Sequence, residues 1–395
     1  SLNSLTLHIS HQQRVESLYH DPSLLSYLAL DYRLFQVDIT PMADPTPDDR
    51  DTRIEFSIGT KYNGSLDGIF EKPRGLAFDP YRGLLFVADR ENKRVQLFAT
   101  DNGGSFVSKF DSEVPVALPG KLKGPWGLAI DHERDRIFVT DIDQDRVLVC
   151  SLNDLSFLAS FGSKGTGDLG FRNPRGIAID RKHNRVIVAD GSNNRLHFAS
   201  AIDFSFLFTV GLARGGSPGE FRVVTGVAVD HDRDRVVVTD TNNNRVQVLS
   251  SVDGSFLFAF GNEGSCPGEF KLPQGVCVDD QGRIIVADIN NRRLQAFTHE
   301  GHYISSFDCG EEPWHVAFDE HRGLIAYSAS HQVHVIGANR WLPNTAFTWR
   351  PDRHRYAPER TKQAVVMVTM IRSVHYESTL SLLPNELLFE IFAFL

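Results

Sequence analysis

The chain is short of cysteine. Cys150, Cys266, Cys277 and Cys309 are its only four in 395 residues, and no two form a C-x-x-C pair. A dense disulfide framework and a thiolate metal cluster both need more, so a reducing, cytoplasmic compartment fits the composition. Long apolar runs are missing too: none approaches the ~20 residues of a membrane-spanning helix, which excludes a membrane partner of that kind. The N-terminal stretch does not read as a secretory leader. Positive charge is not in excess, since 41 Lys and Arg against 50 Asp and Glu leave a formal net charge of −9. That balance argues against a generally basic nucleic-acid footprint and leaves room only for a local basic patch. No phosphate loop of the G-x-x-x-x-G-K-[ST] kind and no H-E-x-x-H occurs, so the P-loop and zinc-metalloprotease constellations are excluded.

What the sequence does contain is a repeat. Gly75-Leu76-Ala77-Phe78-Asp79 recurs from Gly127, Gly176 and Gly226, then at Gly275 with Cys277 in place of Ala, and finally as His315-Val316-Ala317-Phe318-Asp319. Each copy is followed by a second apolar run, ending at Asp89, Asp141, Asp190, Asp240 and Asp288, with Ser328 standing in for the Asp of the sixth. A third run such as Arg245-Val246-Gln247-Val248-Leu249 and a fourth such as Phe256-Leu257-Phe258-Ala259-Phe260 complete each unit. Four short β-branched and aromatic runs between Gly, Pro and Asp punctuation predict a four-stranded antiparallel blade. A blade cannot bury both faces alone, so blades stack radially. The sixth copy lacks a fourth run. Arg53-Ile54-Glu55-Phe56-Ser57-Ile58-Gly59, upstream of the first copy, supplies it and removes the open edges. The expected fold is all-β: a six-bladed β-propeller at 53–338, closed by an N-terminal outer strand. Residues 1–52 read as a flank and linker, and 339–395 as an extension with a short helical tail.

The unit Gly219-Glu220-Phe221, Gly226-Val227-Ala228-Val229-Asp230 and Val238-Thr239-Asp240-Thr241-Asn242-Asn243-Asn244-Arg245-Val246-Gln247-Val248 resembles an NHL repeat. The resemblance implies the propeller fold but not one function. The family includes TRIM-type ubiquitin ligases, RNA-binding translational repressors, bacterial proteins and distant lyases.

Comparing the copies separates scaffold from site. The pairs Asp89/Arg94, Asp141/Arg146, Asp190/Arg195, Asp240/Arg245 and Asp288/Arg293, each with an intervening side-chain amide, repeat too regularly for a binding role. A carboxylate that takes turn amides while Arg pins the next strand is the structural reading. The residue before each inner-strand Gly does vary: Arg74, Trp126, Arg175, Thr225, Gln274 and Trp314. This position lies at the rim of the central channel. Read round the ring, Trp314, Arg74, Trp126 and Arg175 alternate aromatic and cation over neighbouring blades, and both types are favoured at binding hot spots. A binding surface and a channel plug are both compatible with them. The first residue after the second strand also varies (Arg90, Ile142, Gly191, Thr241, Ile289), and Arg90 joins the expected footprint.

No catalytic or metal site emerges, and no cofactor is expected. A propeller zinc lyase needs three His on inner strands, and only His315 is so placed. A calcium-dependent lactonase needs acids at the channel mouth, where the rim has none. His132, His183 and His231 fall in turns on the opposite face and read as solvated.

At the C-terminus, Leu383-Pro384-Asn385-Glu386-Leu387-Leu388-Phe389-Glu390-Ile391-Phe392-Ala393-Phe394-Leu395 predicts a helix start at Pro384. Leu387, Leu388, Ile391, Phe392 and Leu395 then share an apolar face. The segment resembles the opening helix of an F-box, which implies docking to a Skp adaptor; an elongin-type adaptor or docking on the propeller itself is equally compatible. The first expectation is therefore a non-catalytic scaffold that binds a protein partner, as a ubiquitin-ligase substrate receptor. The alternative is an RNA-binding propeller.

Overall fold

The computed structural model describes residues 54–110, 121–211 and 214–342. Six four-stranded antiparallel sheets are arranged as the repeat predicts. Blade one runs Pro73–Asp79, Leu84–Asp89, Arg94–Ala99 and Ser105–Phe110; blade four runs Val224–Asp230, Arg235–Asp240, Arg245–Ser250 and Phe256–Phe260. The sixth is composite. Ile54–Gly59 pairs antiparallel with Gln332–Gly337, which continues to Leu324–Ser328 and the inner strand His315–Asp319.

The core is divided into layers between blades. Ala77, Phe86 and Val95 of blade one pack on Leu128, Ile137 and Val139 of blade two. Equivalent clusters join each further pair, and the last sets Ile58, Ala326 and Val335 of blade six against Leu76, Leu85 and Phe98 of blade one. Each second strand is apolar on both faces because both face a neighbour: Ile187 is in one cluster while Val186 and Val188 are in another.

Polar ties on the lower face, where the first-to-second-strand turns lie, link successive blades. Arg82 reaches Asn153 of blade two at 2.8 Å, Arg134 reaches Asn184 of blade three, and Lys182 reaches Asp234 of blade four. Arg322 of blade six closes the circuit, donating to Asp101 of blade one at 2.7 Å and to the Pro80 carbonyl at 2.8 Å.

One expectation about the sixth blade is corrected by its register. Val316 pairs with Tyr327 as Leu76 pairs with Val87, so Ser328 occupies the position before the Asp and Ala329 occupies the Asp position itself. The Asp/Arg arrangement is absent from this blade, and its preceding connection, 309–313, is short. Instead, Glu311 accepts a hydrogen bond from His334 Nε2 at 3.0 Å, and His334 Nδ1 lies 2.7 Å from Ser57 Oγ of the closing strand.

Two outcomes follow from closure. Ile58→Ala, at a site 4 % exposed, lowers urea-unfolding stability by about 2–4 kcal/mol; an unchanged midpoint would show that the closing strand contributes no core. The bond from His334 holds the Glu311 carboxyl below its ordinary 4.5. A depressed carboxylate stabilises above its unfolded value and loses that contribution as pH falls. The stability gap between wild type and Glu311→Gln is therefore full at neutral pH and shrinks below about pH 4.5; a gap that widens in acid would contradict the pairing.

Candidate functional site

The repeated carboxylates are fully occupied by the scaffold. Asp89 accepts the Glu71 amide at 2.8 Å, Asn92 at 2.9 Å, Arg94 Nε at 2.8 Å and Gln96 at 3.0 Å. The remaining guanidinium nitrogens of Arg94 donate to the carbonyls of Ser65, Leu66 and Ile69, clamping the connection that enters the blade. Arg195, Arg245 and Arg293 do the same in blades three, four and five. Among the described residues no group of three His, Cys, Asp or Glu could hold a metal ion. His315 takes the place of a rim glycine, and its Nδ1 accepts the Leu76 amide at 3.4 Å; burial holds its imidazolium form down, to about 4. His132 is not the solvated turn residue that its position suggested. Its side chain is 6 % exposed, its ring meets Tyr81 edge-on at 4.7 Å, and burial followed by the Arg181 charge lowers its pKa to about 3.

At the rim, inner strands of adjacent blades approach so closely that a methyl on Gly75, Gly127, Gly176 or Gly226 would strike the rim carbonyl of the next blade: Trp126, Arg175, Thr225 and Gln274 respectively. Glycine is therefore required there by approach, and the rim residue beside it is fixed. Hydroxyls in alternate blades complete the fixing. Thr140 Oγ1 accepts the Gly127 amide at 2.7 Å and donates to the Arg175 carbonyl at 2.6 Å. Thr239 repeats this with Gly226 and the Gln274 carbonyl. Ser328 does so with His315 and, across the closure, with the Arg74 carbonyl at 2.7 Å.

The side chains so placed form a stacked arc. The Arg74 guanidinium lies 3.7 Å from the Trp314 ring centroid and 5.3 Å from that of Trp126. Arg175 covers Trp126 at 5.3 Å, and Arg90 reaches the same ring at 5.6 Å. Both indoles stay half-buried. Arg74 is 6 % exposed, and burial, then repulsion from Arg90, holds its pKa down to about 9. Arg175 is lowered for the same reasons. Arg90 alone is neutralised by contact, with Glu91 at 2.6 Å and Asp143 at 3.7 Å. The Nε atoms of all three arginines are buried without a hydrogen bond. Crowded guanidinium groups of this kind favour an anion that supplies the missing acceptors.

The other side of the rim contributes less. Thr225 is 3 % exposed and bonded to Thr239 and Thr241, so it presents no surface. Gln274 is half-buried. Of the outer positions, Ile142, Gly191, Thr241 and Ile289 are buried, leaving Arg90 as the accessible member. Leu383, Pro384, Leu387, Leu388, Ile391, Phe392 and Leu395 lie outside the described residues.

Sequence reasoning missed a second feature of the same face. Three residues before the rim, blades two to five carry Lys123, Arg172, Arg222 and Lys271, all exposed. Among the described residues their side chains enter no ion pair or hydrogen bond, and neither does that of Arg292 in the adjoining turn of blade five. Two acids of the neighbouring connections are engaged elsewhere, Glu220 accepting the Ser217 amide and Glu269 the Cys266 amide, while Asp168 and Glu263 are exposed there. In blades six and one the equivalent residues are Glu311 and Glu71. Applying the copy-to-copy comparison at this position as well as at the rim would have revealed the row.

A family model described as the NHL repeat matches residues 171–197, 221–249 and 270–297, within blades three to five. The chain is 54 % identical over 46 residues to protein lin-41 of Caenorhabditis elegans, covering 12 % of this chain and 4 % of that protein. It is 38 % identical over 86 residues to protein brain tumor of Drosophila melanogaster, covering 19 % and 8 %. The matches thus span less than a tenth of either relative's length. Among solved structures, a Bacteroides thetaiotaomicron protein of unknown function aligns with a TM-score of 0.54 at 15 % identity over 72 % of this chain and 74 % of its own, which shows the fold alone. The chain is a six-bladed β-propeller that carries NHL repeats in blades three to five. Resemblance to such propellers fits a scaffold that binds protein or RNA. No helix among the described residues is long and apolar enough to cross a membrane.

Removing the closure hydroxyl tests how the rim is held. Ser328→Ala leaves the Arg74 carbonyl and the His315 amide unpaired and costs about 1–3 kcal/mol in chemical unfolding. Ser328→Thr, the residue blades two and four use, retains most of it. Equal stability of both variants and wild type would show that the hydroxyl does not hold the rim.

Proposed function

We propose that this propeller is a non-catalytic scaffold whose upper face, where the rim lies, binds single-stranded RNA. The observation that carries this is the pairing asymmetry: five cations over blades two to five (Lys123, Arg172, Arg222, Lys271, Arg292) lack partners among the described residues and adjoin the Arg/Trp arc. A positive track beside aromatic faces is the combination single strands require, the track taking phosphates and the rings taking bases. The net charge of −9 is a sum over the whole chain and does not describe this row, whose four positions in blades two to five are all basic. A protein partner with an acidic segment is the second reading, favoured by the same buried, acceptor-poor guanidinium groups. A ubiquitin-ligase receptor role would pass through the F-box-like segment 383–395 and an adaptor of the Skp or elongin kind; the rim geometry bears only on what such a receptor would recognise.

Fluorescence anisotropy with a labelled uridine oligonucleotide separates the readings. Combining Trp126→Ala with Arg175→Ala weakens binding by about 5- to 100-fold, the range of one lost base stack. Circular dichroism confirms the fold. Undiminished RNA affinity would overturn the assignment, and binding of an acidic peptide in place of RNA would move it to the protein reading.

A further inference from the structure

The four cations before the rim are held alike. Their backbone amides donate to the second-strand Asp of their own blade: Lys123 to Asp141 at 3.0 Å, Arg172 to Asp190 at 2.7 Å, Arg222 to Asp240 at 2.7 Å and Lys271 to Asp288 at 2.7 Å. Because the same bond fixes each backbone in the same register, the side chains leave the surface at equivalent points, one per blade. The buried clamp aspartates thus have a second effect, the spacing of surface charge. Glu71 makes the identical bond to Asp89 at 2.8 Å but puts an acid in the row; blade six, which lacks the clamp Asp, has Glu311 three residues before its rim residue. On these two blades Lys72 and Arg90 both pair with Glu91, while Lys61 and Lys93 stay exposed with no ion pair among the described residues.

We infer that the bound strand runs round the ring rather than across the channel, with one backbone phosphate per blade on Lys123, Arg172, Arg222 and Lys271. It ends at blades six and one, where the row position carries Glu311 and Glu71. This rests on the RNA reading above and adds a path, a length and two ends to it. The Arg/Trp arc then lies on the inner side of the strand and offers its rings to bases at one end of the row, over blade two.

The test uses the full chain, uridine oligonucleotides of increasing length, and anisotropy at several salt concentrations. Lys123→Ala, Arg172→Ala, Arg222→Ala and Lys271→Ala each weaken binding by a similar factor, about three- to tenfold, whatever the base sequence. Each also flattens the salt dependence by about 0.7 in log–log slope, the value for one lost phosphate contact on a single strand. Glu71→Lys, at a half-exposed site whose carboxylate receives only a 3.4 Å contact from Asn63, extends the row. It steepens the slope by a similar amount and lengthens the shortest oligonucleotide that reaches full affinity. Losses confined to one of the four positions, or no gain from Glu71→Lys, would overturn the circular path. If the oligonucleotides bind, respond to Trp126→Ala, but keep their salt slope in all four variants, the path fails while the RNA reading stands. If wild type binds none of them, both fall.

Discussion

Every blade of this molecule is apolar on both faces, and only a neighbouring blade on each side can cover them. That constraint accounts for the ring. A row of blades would leave two apolar faces and an open sheet edge; closing it removes both. The last interblade layer, with Ile58, Val333 and Val335 against Leu76, Leu85 and Phe98, is built like the other five. The chain reaches it by giving Ile54–Gly59, its first described strand, to its last blade.

From closure follows a division of labour among residues. Because inner strands crowd at the axis, glycine is needed where they touch, and the residue before each glycine is delivered to the channel mouth with little freedom. The Asp/Arg clamp fixes the connection leading to it, and the hydroxyls of Thr140, Thr239 and Ser328 fix its carbonyl in alternate blades. The scaffold therefore offers a set of equivalent, rigid positions whose side chains are free to differ, as suits a site built by preorganisation. Charge can also be laid out blade by blade, which is how an acidic protein presents an unpaired basic row.

Much of this was legible in the sequence, for a physical reason: a repeat holds its own control comparison. The inner-strand motif repeats and forms as read, four of the five clamp pairs close as ion pairs (Asp141 and Arg146 do not), and the displaced strand at 54–59 completes the last blade. The alternation of Trp314, Arg74, Trp126 and Arg175 was also visible, although not that they stack on one another. What failed depended on register or burial, which a repeat does not display. Ser328 was matched to the Asp because blade six has a shorter turn; strand pairing moves it to the hydroxyl position. Thr225 reads like an exposed rim residue, yet two threonine neighbours draw it inward. His132 reads like a turn residue, yet Tyr81 covers it. The basic row escaped notice because net charge sums over the whole chain and says nothing of one position per blade.

The claim on which the rest depends is that repeated residues hold the ring while the residues that differ between blades, on the upper face, bind. Hydrogen–deuterium exchange of the full chain with and without a uridine oligonucleotide tests it in one measurement. Added protection should fall on peptides covering 121–126, 172–175, 222–225 and 271–274, with none in the lower-face turns at 132–135, 181–184 and 231–234. Protection of those lower turns, or of blades six and one without blades two to five, would contradict it.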